Sequence, residues 1–195
     1  MIIGLTGGIA SGKSTVSSIL KEWGAVVIDG DVVAREIVGL HQPALKEIAA
    51  CFGNQVLNED GTLNRNLLGE LVFSDPVRLE QLNRITHPVI YDRIRECIHM
   101  LVNQGERAII VDAALLYTLR LNELVDAIWY VDANEELKVE RLSSRNGYSR
   151  KEALDRIQAQ ETTGRQQADE IIKNEGTLAS LMEQLALLWK KYMEK

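Results

Sequence analysis

Gly7, Gly12, Lys13 and Ser14 stand at the spacing G-x-x-x-x-G-K-[ST]. The chemistry served by this spacing is capture of a triphosphate. Glycine lets several main-chain N–H groups converge on phosphate oxygens without a Cβ in the way. A helix starting near Lys13 aims the positive end of its dipole at the same anion. Lys13 reaches the β- and γ-phosphates, and the Ser14 hydroxyl suits Mg²⁺. Gly8, Ala10, Ser11, Gly12, Lys13, Ser14 and Thr15 are therefore the expected nucleotide-binding stretch. Two carboxylates complement it. Asp31 and Asp112 each follow an apolar run with the character of a strand, and in a parallel sheet both fall at the edge where such loops lie. There a carboxylate can accept the proton of an attacking hydroxyl, the role expected of Asp31, or support Mg²⁺, the role expected of Asp112. The plain alternatives are an N-cap of a helix over 32–38 for Asp31 and a loop cap for Asp112. Arg141 and Arg145, four residues apart, share one helix face. Both can swing towards the charge that spreads over γ-phosphoryl oxygens, the alternative being a solvated face with Lys138 and Glu140.

The apolar pattern predicts the elements that hold these groups. Ile2 and Ile3 open a strand that Gly4-Leu5-Thr6 carries into the glycine loop. Val16, Ile19, Leu20 and Trp23 recur at helical spacing, with Gly24 as the stop. Ala25 to Ile28 reads as a strand covered on both faces, and Ala108 to Val111, Ala127 to Val131 and Glu170 to Ile172 follow as further strands. Ala44, Leu45, Ile48, Ala49 and Phe52 form a helical stripe. Asp75 before Pro76 marks a helix start, and Pro88 reads as the opening of the next helical segment. Glu135 to Arg145 is a charged helix, Ser149 with Glu152 a capping box, and Leu178, Leu181, Leu185, Leu188 and Tyr192 a closing stripe. Strands alternating with helices predict an α/β protein with a parallel, doubly wound sheet.

At 195 residues, with 46% hydrophobic and 26% charged side chains, the chain has the composition of a globular domain with an insertion. The excess of 28 acidic over 22 basic side chains argues against a general nucleic-acid binder. No apolar run approaches the ~20 residues of a membrane span, and Met1 to Thr6 is too short for a secretory signal. A cytoplasmic location and two reduced, helix-packed thiols at Cys51 and Cys97 are the corresponding expectations. No Asn-Lys-x-Asp motif of a regulatory GTPase is present. Small size with a helical insertion favours a small-molecule kinase. The rivals are a kinase for another metabolite hydroxyl and a non-catalytic nucleotide-binding module.

A longer set of residues points to one family. Gly4 to Thr15 is followed by Asp29-Gly30-Asp31, Arg35, Gly61-Thr62-Leu63-Asn64-Arg65, Val72-Phe73 and His87-Pro88. Leu115-Leu116, Arg156 with Gln160, and Ala168-Asp169 ahead of Asn174 complete it. Over nearly the whole chain this order resembles the dephospho-coenzyme A kinase family. The resemblance implies a P-loop kinase fold with a nucleotide-binding core of residues 1–40 and 106–195, a lid at about 138–158, and a helical acceptor-binding insertion of residues 41–105. It implies ATP as co-substrate, Mg²⁺, and dephospho-coenzyme A as the acceptor phosphorylated on its ribose 3'-hydroxyl. On this likeness Asp31 is the base, Arg35, Arg65 and His87 contact the acceptor, Leu115 and Leu116 lie near its pocket, and Asn174 belongs to the adenine-side loop. Without the likeness, a solvated helix arginine, a structural histidine and a turn asparagine are the readings for Arg65, His87 and Asn174. The chain departs from the family pattern at Ala10, where glycine is frequent, and at Ala114 and Thr118, where proline and a carboxylate are usual.

Overall fold

The computed structural model describes residues 1–159 and 163–193; Gln160 lies outside them. Five strands form one sheet: β1 (Ile2–Gly7), β2 (Val26–Asp29), β3 (Ile109–Asp112), β4 (Ala127–Asp132) and β5 (Glu170–Lys173), in the order β2-β3-β1-β4-β5. β1 runs parallel to β3 and to β4, and β4 parallel to β5. β1 and β3 are apolar almost throughout, as central strands covered on both faces must be. β5 alternates, with Ile172 buried and Ile171 exposed, because it lies at the edge.

Helices α1 (Lys13–Glu22) and α9 (Leu178–Met193) share one core cluster with the sheet. Val16, Ile19 and Leu20 meet Leu181 and Leu185 there, over Ile3, Leu5, Trp129 and Val131. Trp23 packs edge-on against Trp189, and Trp129 against Tyr192. Burying each such aliphatic side chain stabilises the fold by about 1.5–3 kcal/mol, so periodic leucines at the C-terminus serve the core.

Polar groups register the strands. Asp126 accepts a hydrogen bond from the Ile2 amide at 2.7 Å, and Asp169 one from the Ile128 amide at 2.7 Å. The Ala168-Asp169 pair therefore fastens the approach to β5 against the start of β4. The expected capping box at Ser149 and Glu152 opens α7 (Arg150–Gln158), which follows α6 (Glu135–Asn146).

The chain divides into two units, Met1–Ile28 with Ile98–Lys195, and Asp29–Cys97. The second unit begins at the end of β2, and its other limit falls inside a helix. It holds α2 (Gly30–Glu36), α3 (Pro43–Phe52), α4 (Arg65–Phe73) and most of α5 (Pro76–Asn103). Asp75 caps α5, its carboxylate accepting from the Val77 amide at 2.9 Å. Pro88 does not open a new helix. It sits within the 28 residues of α5. An interior proline costs about 3 kcal/mol, whereas Ile90, Ile94 and Ile98 beyond it are buried, each worth about 1.5–3 kcal/mol. Continuation of the helix therefore prevails. Cys51 on α3 is exposed rather than packed, and Cys97 on α5 is partly buried; both are free thiols. Among the described residues no helix is long and apolar enough to cross a membrane.

Candidate active site

β1 delivers the chain into the phosphate loop at Gly7, which pairs with Val131 of β4. A Cβ on Gly7 would lie 2.5 Å from the Val131 carbonyl oxygen and 2.8 Å from Ser11 Oγ, so only glycine fits. Gly12, the residue before α1, has φ +90° and supplies no side-chain cap. The helix end keeps the main-chain donors that an anion takes up. Ser11 Oγ is buried without a hydrogen-bond partner among the described residues, a group that a bound phosphate or water would satisfy. Ala10 adopts φ +57°. Glycine would adopt this left-handed conformation without strain, whereas alanine accepts a strain of about 1 kcal/mol.

The outer side of the loop is braced from two directions. Arg141 Nη1 donates to the Ala10 and Ser11 carbonyls, both at 3.1 Å, and Nη2 to the Asn174 carbonyl at 3.0 Å. Asn174 Nδ2 donates to the Ser11 carbonyl at 2.8 Å. Arg141 and Asn174 thus belong to one network with Ala10 and Ser11. A Cβ on Gly12 would run into the Asn174 side-chain amide. Gly12→Ala should therefore destabilise the protein by about 2 kcal/mol or more through collision and positive-φ strain, seen as a lower urea midpoint. A midpoint equal to wild type would refute the tight Gly12–Asn174 approach.

Lys13 and Asp112 are joined across the sheet edge. Leu5 of β1 and Asp112 of β3 are register partners, and the Lys13 ammonium forms an ion pair with the Asp112 carboxylate. Asp112 is 7% exposed, while Ser14 and Thr15 lie open at the start of α1. Arg145 is exposed and donates to its neighbour Asn146 at 3.3 Å, apart from the loop network.

In the second unit, Asp29 performs the capping that the sequence offered to Asp31. Its Oδ1 accepts from the amides of Asp31 at 2.8 Å and Val32 at 3.1 Å. The Asp31 carboxylate is exposed and takes no part in the cap. Asn64 caps α4 through the Leu67 amide, placing Arg65 in its first turn. Arg65 Nη2 donates to the Arg35 carbonyl at 3.4 Å, so two of the expected acceptor contacts are neighbours. His87 lies in mid-α5, where burial lowers its pKa below the usual 6.5.

The sign of this shift has a consequence for stability. The unfolded chain takes a proton on His87 near pH 6.5 while the folded chain resists it, so the unfolded state binds more protons and stability rises with pH. Acidification from pH 7.5 to 5.5 should lower the urea midpoint, and His87→Gln should flatten that dependence. An unchanged slope would remove His87 as its source.

Leu115 and Leu116 differ in exposure. Leu116 is fully buried, and a Cβ on Gly4 of β1 would meet its Cδ1 at 2.9 Å. Its side chain belongs to the core, whereas Leu115 is 55% exposed. Asp132, Lys138 and Arg165 form a further charged cluster beside the loop network. Asp132 accepts from Lys138 Nζ at 2.6 Å and from Arg165 Nε at 2.8 Å. Its signal was present: Asp132 ends an apolar run just as Asp112 does. Burial pushes the Asp132 carboxyl pKa up, but its bonds to Lys138, the Ala133 amide and Arg165, with the Lys138 charge, outweigh this and hold it low.

A loop that can wrap phosphates, a cation held by a strand-end aspartate and an exposed second carboxylate are shared by kinases of several specificities. Comparison with known proteins narrows the choice. The family model described as Dephospho-CoA kinase matches residues 1–180. A curated Dephospho-CoA kinase of Carboxydothermus hydrogenoformans is 44% identical over 100% of this chain and 95% of its own length. A crystal structure from Thermus thermophilus superposes with a TM-score of 0.80 at 32% identity, covering 98% of this chain and 97% of that one. The Dephospho-CoA kinase of Campylobacter jejuni does so with a TM-score of 0.75 at 26% identity, over 98% and 96%. Likeness of this extent reaches well beyond the glycine loop that many kinases share, and it places the chain in the dephospho-CoA kinase family.

Proposed function

We propose that this protein transfers the γ-phosphoryl group of ATP to the ribose 3'-hydroxyl of dephospho-coenzyme A, with Asp31 as the base. The observation that carries the reading is the family match over residues 1–180, which includes the acceptor-side positions as well as the loop. In the reaction the acceptor hydroxyl loses its proton to the Asp31 carboxylate as its oxygen bonds to the γ-phosphorus. The bond from that phosphorus to the bridging oxygen breaks, and ADP leaves with the electron pair. Lys13 supplies positive charge to the phosphates, and the Gly12-led start of α1 supplies main-chain donors. Arg141 holds the loop from outside. Arg145, exposed one helical turn further on, is the lid cation available to the transferring group. Arg35, Arg65 and His87 bind the acceptor, with Leu115 at its pocket.

The donor chemistry fits Mg²⁺, since the Ser14 hydroxyl and the Asp112 carboxylate are hard oxygen ligands and this ion completes its shell with water and phosphate oxygens. When bound, it would neutralise phosphate charge. The test is mass spectrometry of the acceptor after incubation with ATP and Mg²⁺. Gain of one phosphate on the ribose of dephospho-coenzyme A supports the reading. Transfer only to other metabolite hydroxyls, or tight ATP binding with no transfer at all, overturns it.

A further inference from the structure

β4 ends at Asp132, one residue beyond the Val131–Gly7 pair from which the phosphate loop departs. Its carboxylate is 16% exposed and fully engaged. Oδ1 accepts from Lys138 Nζ at 2.6 Å and from the Ala133 amide at 2.9 Å, and Oδ2 from Arg165 Nε at 2.8 Å. Lys138 lies near the start of α6, where the chain enters the α6–α7 hairpin. Arg165 lies on α8 (Thr163–Gln166), where the chain returns towards β5. Two cations, one on α6 and one on α8, therefore converge on one carboxylate. The Asp132 carbonyl also accepts from the Asn174 amide at 2.8 Å, and Asn174 in turn holds Ser11. Tyr117 adds a further tie through its hydroxyl, which donates to the Gly164 carbonyl at 3.3 Å.

The hairpin also has an apolar attachment to the phosphate loop. Val139, Leu142 and Ala153 form a small cluster of their own, with Ile9 and Ala10 of the phosphate loop packed against it. Arg141, which grips the loop carbonyls, stands one helical turn beyond Lys138. A tilt of α6 about Lys138 would displace it. The charged clasp at Asp132 acts beside this packing and the Arg141 bonds in fixing the hairpin's angle.

We propose that Asp132 is a positioning residue for phosphoryl transfer: it ties α6 and α8, on either side of the α6–α7 hairpin, to the end of β4 and so sets where Arg141 grips the phosphate loop and where Arg145, one turn further along α6, is held. This rests on the kinase reading above. Asp132→Asn keeps the shape and an acceptor for the Ala133 amide but loses the charge that holds the two cations. It should lower kcat for transfer by about 10–100-fold, the scale of an ångström-level misplacement. ATP hydrolysis without acceptor should fall less, because the hairpin no longer excludes water. With ADP bound, amide exchange in α6 and α7 of the full chain should become about tenfold faster. Arg165→Gln, at a half-exposed side chain, should speed the same amides to a smaller degree and serves if Asp132→Asn does not fold. Transfer and hydrolysis reduced in equal proportion, or exchange in α6 and α7 unchanged in the folded variants, overturns the proposal. Absence of transfer by the wild-type protein would instead count against the acceptor reading, and exchange with ADP bound would still decide the clasp.

Discussion

Asp31→Asn should lower turnover by about 10²–10³-fold, within the range of a lost general base, while leaving the KM for ATP within about threefold of wild type. Two neighbouring aspartates divide the labour here. Asp29 caps α2 by accepting from main-chain amides, one of them that of residue 31. Asparagine at 31 retains that amide, so the helix start is kept and a fall in turnover cannot be assigned to a lost cap. In phosphoryl transfer the transition state is loose and the hydroxyl proton moves late, which favours the lower part of the general-base range. Steady-state kinetics with ATP and dephospho-coenzyme A measures the effect. Turnover within threefold of wild type would end the role of Asp31 as base.

Lys13→Met should reduce kcat/KM by about 10³-fold, comparable with removing a preorganised donor to developing anionic charge. It also has a structural consequence that activity alone would not reveal. Asp112 is nearly buried and Lys13 is its ion-pair partner. Removing one member of a fully buried pair costs about 3–5 kcal/mol, and partial exposure of Lys13 brings the expected loss to about 1–3 kcal/mol. The thermal midpoint should therefore drop by several degrees. The double variant Lys13→Met with Asp112→Asn should recover most of that stability, because no unpaired charge remains, and none of the activity. Restored activity in the double variant, or a single variant as stable as wild type, would refute the coupling. Calorimetry and kinetics on the same samples decide it.

What could be read before folding was local. Gly7, Gly12, Lys13 and Ser14 announce a phosphate loop because the motif and its flanking strand and helix occupy one short stretch. The Ser149–Glu152 capping box and the Asp75 cap were legible for the same reason, since each acts within one turn of helix. The family resemblance added the acceptor and the order of candidate site residues. It does not reach conformational detail: of the adjacent Leu115 and Leu116, one is exposed and the other buried in the core.

Other features depend on which strands become neighbours. Lys13 and Asp112 meet because β3 lies beside β1, and Arg141 reaches Ala10 and Ser11 because β4 lies on the other side. The choice between Asp29 and Asp31 as cap turns on the two-residue difference in where β2 ends, a boundary that an apolar run marks only loosely. Pro88 reads as a break on intrinsic preference, yet buried isoleucines farther along α5 outweigh its cost. The Asp132 clasp joins residues separated by a hairpin, so no spacing rule could reveal it. Residue types and short spacings thus specify the available chemistry, because they act through neighbouring backbone. The partners of each charged group are settled by sheet order and burial, which sum over contacts distant in the chain.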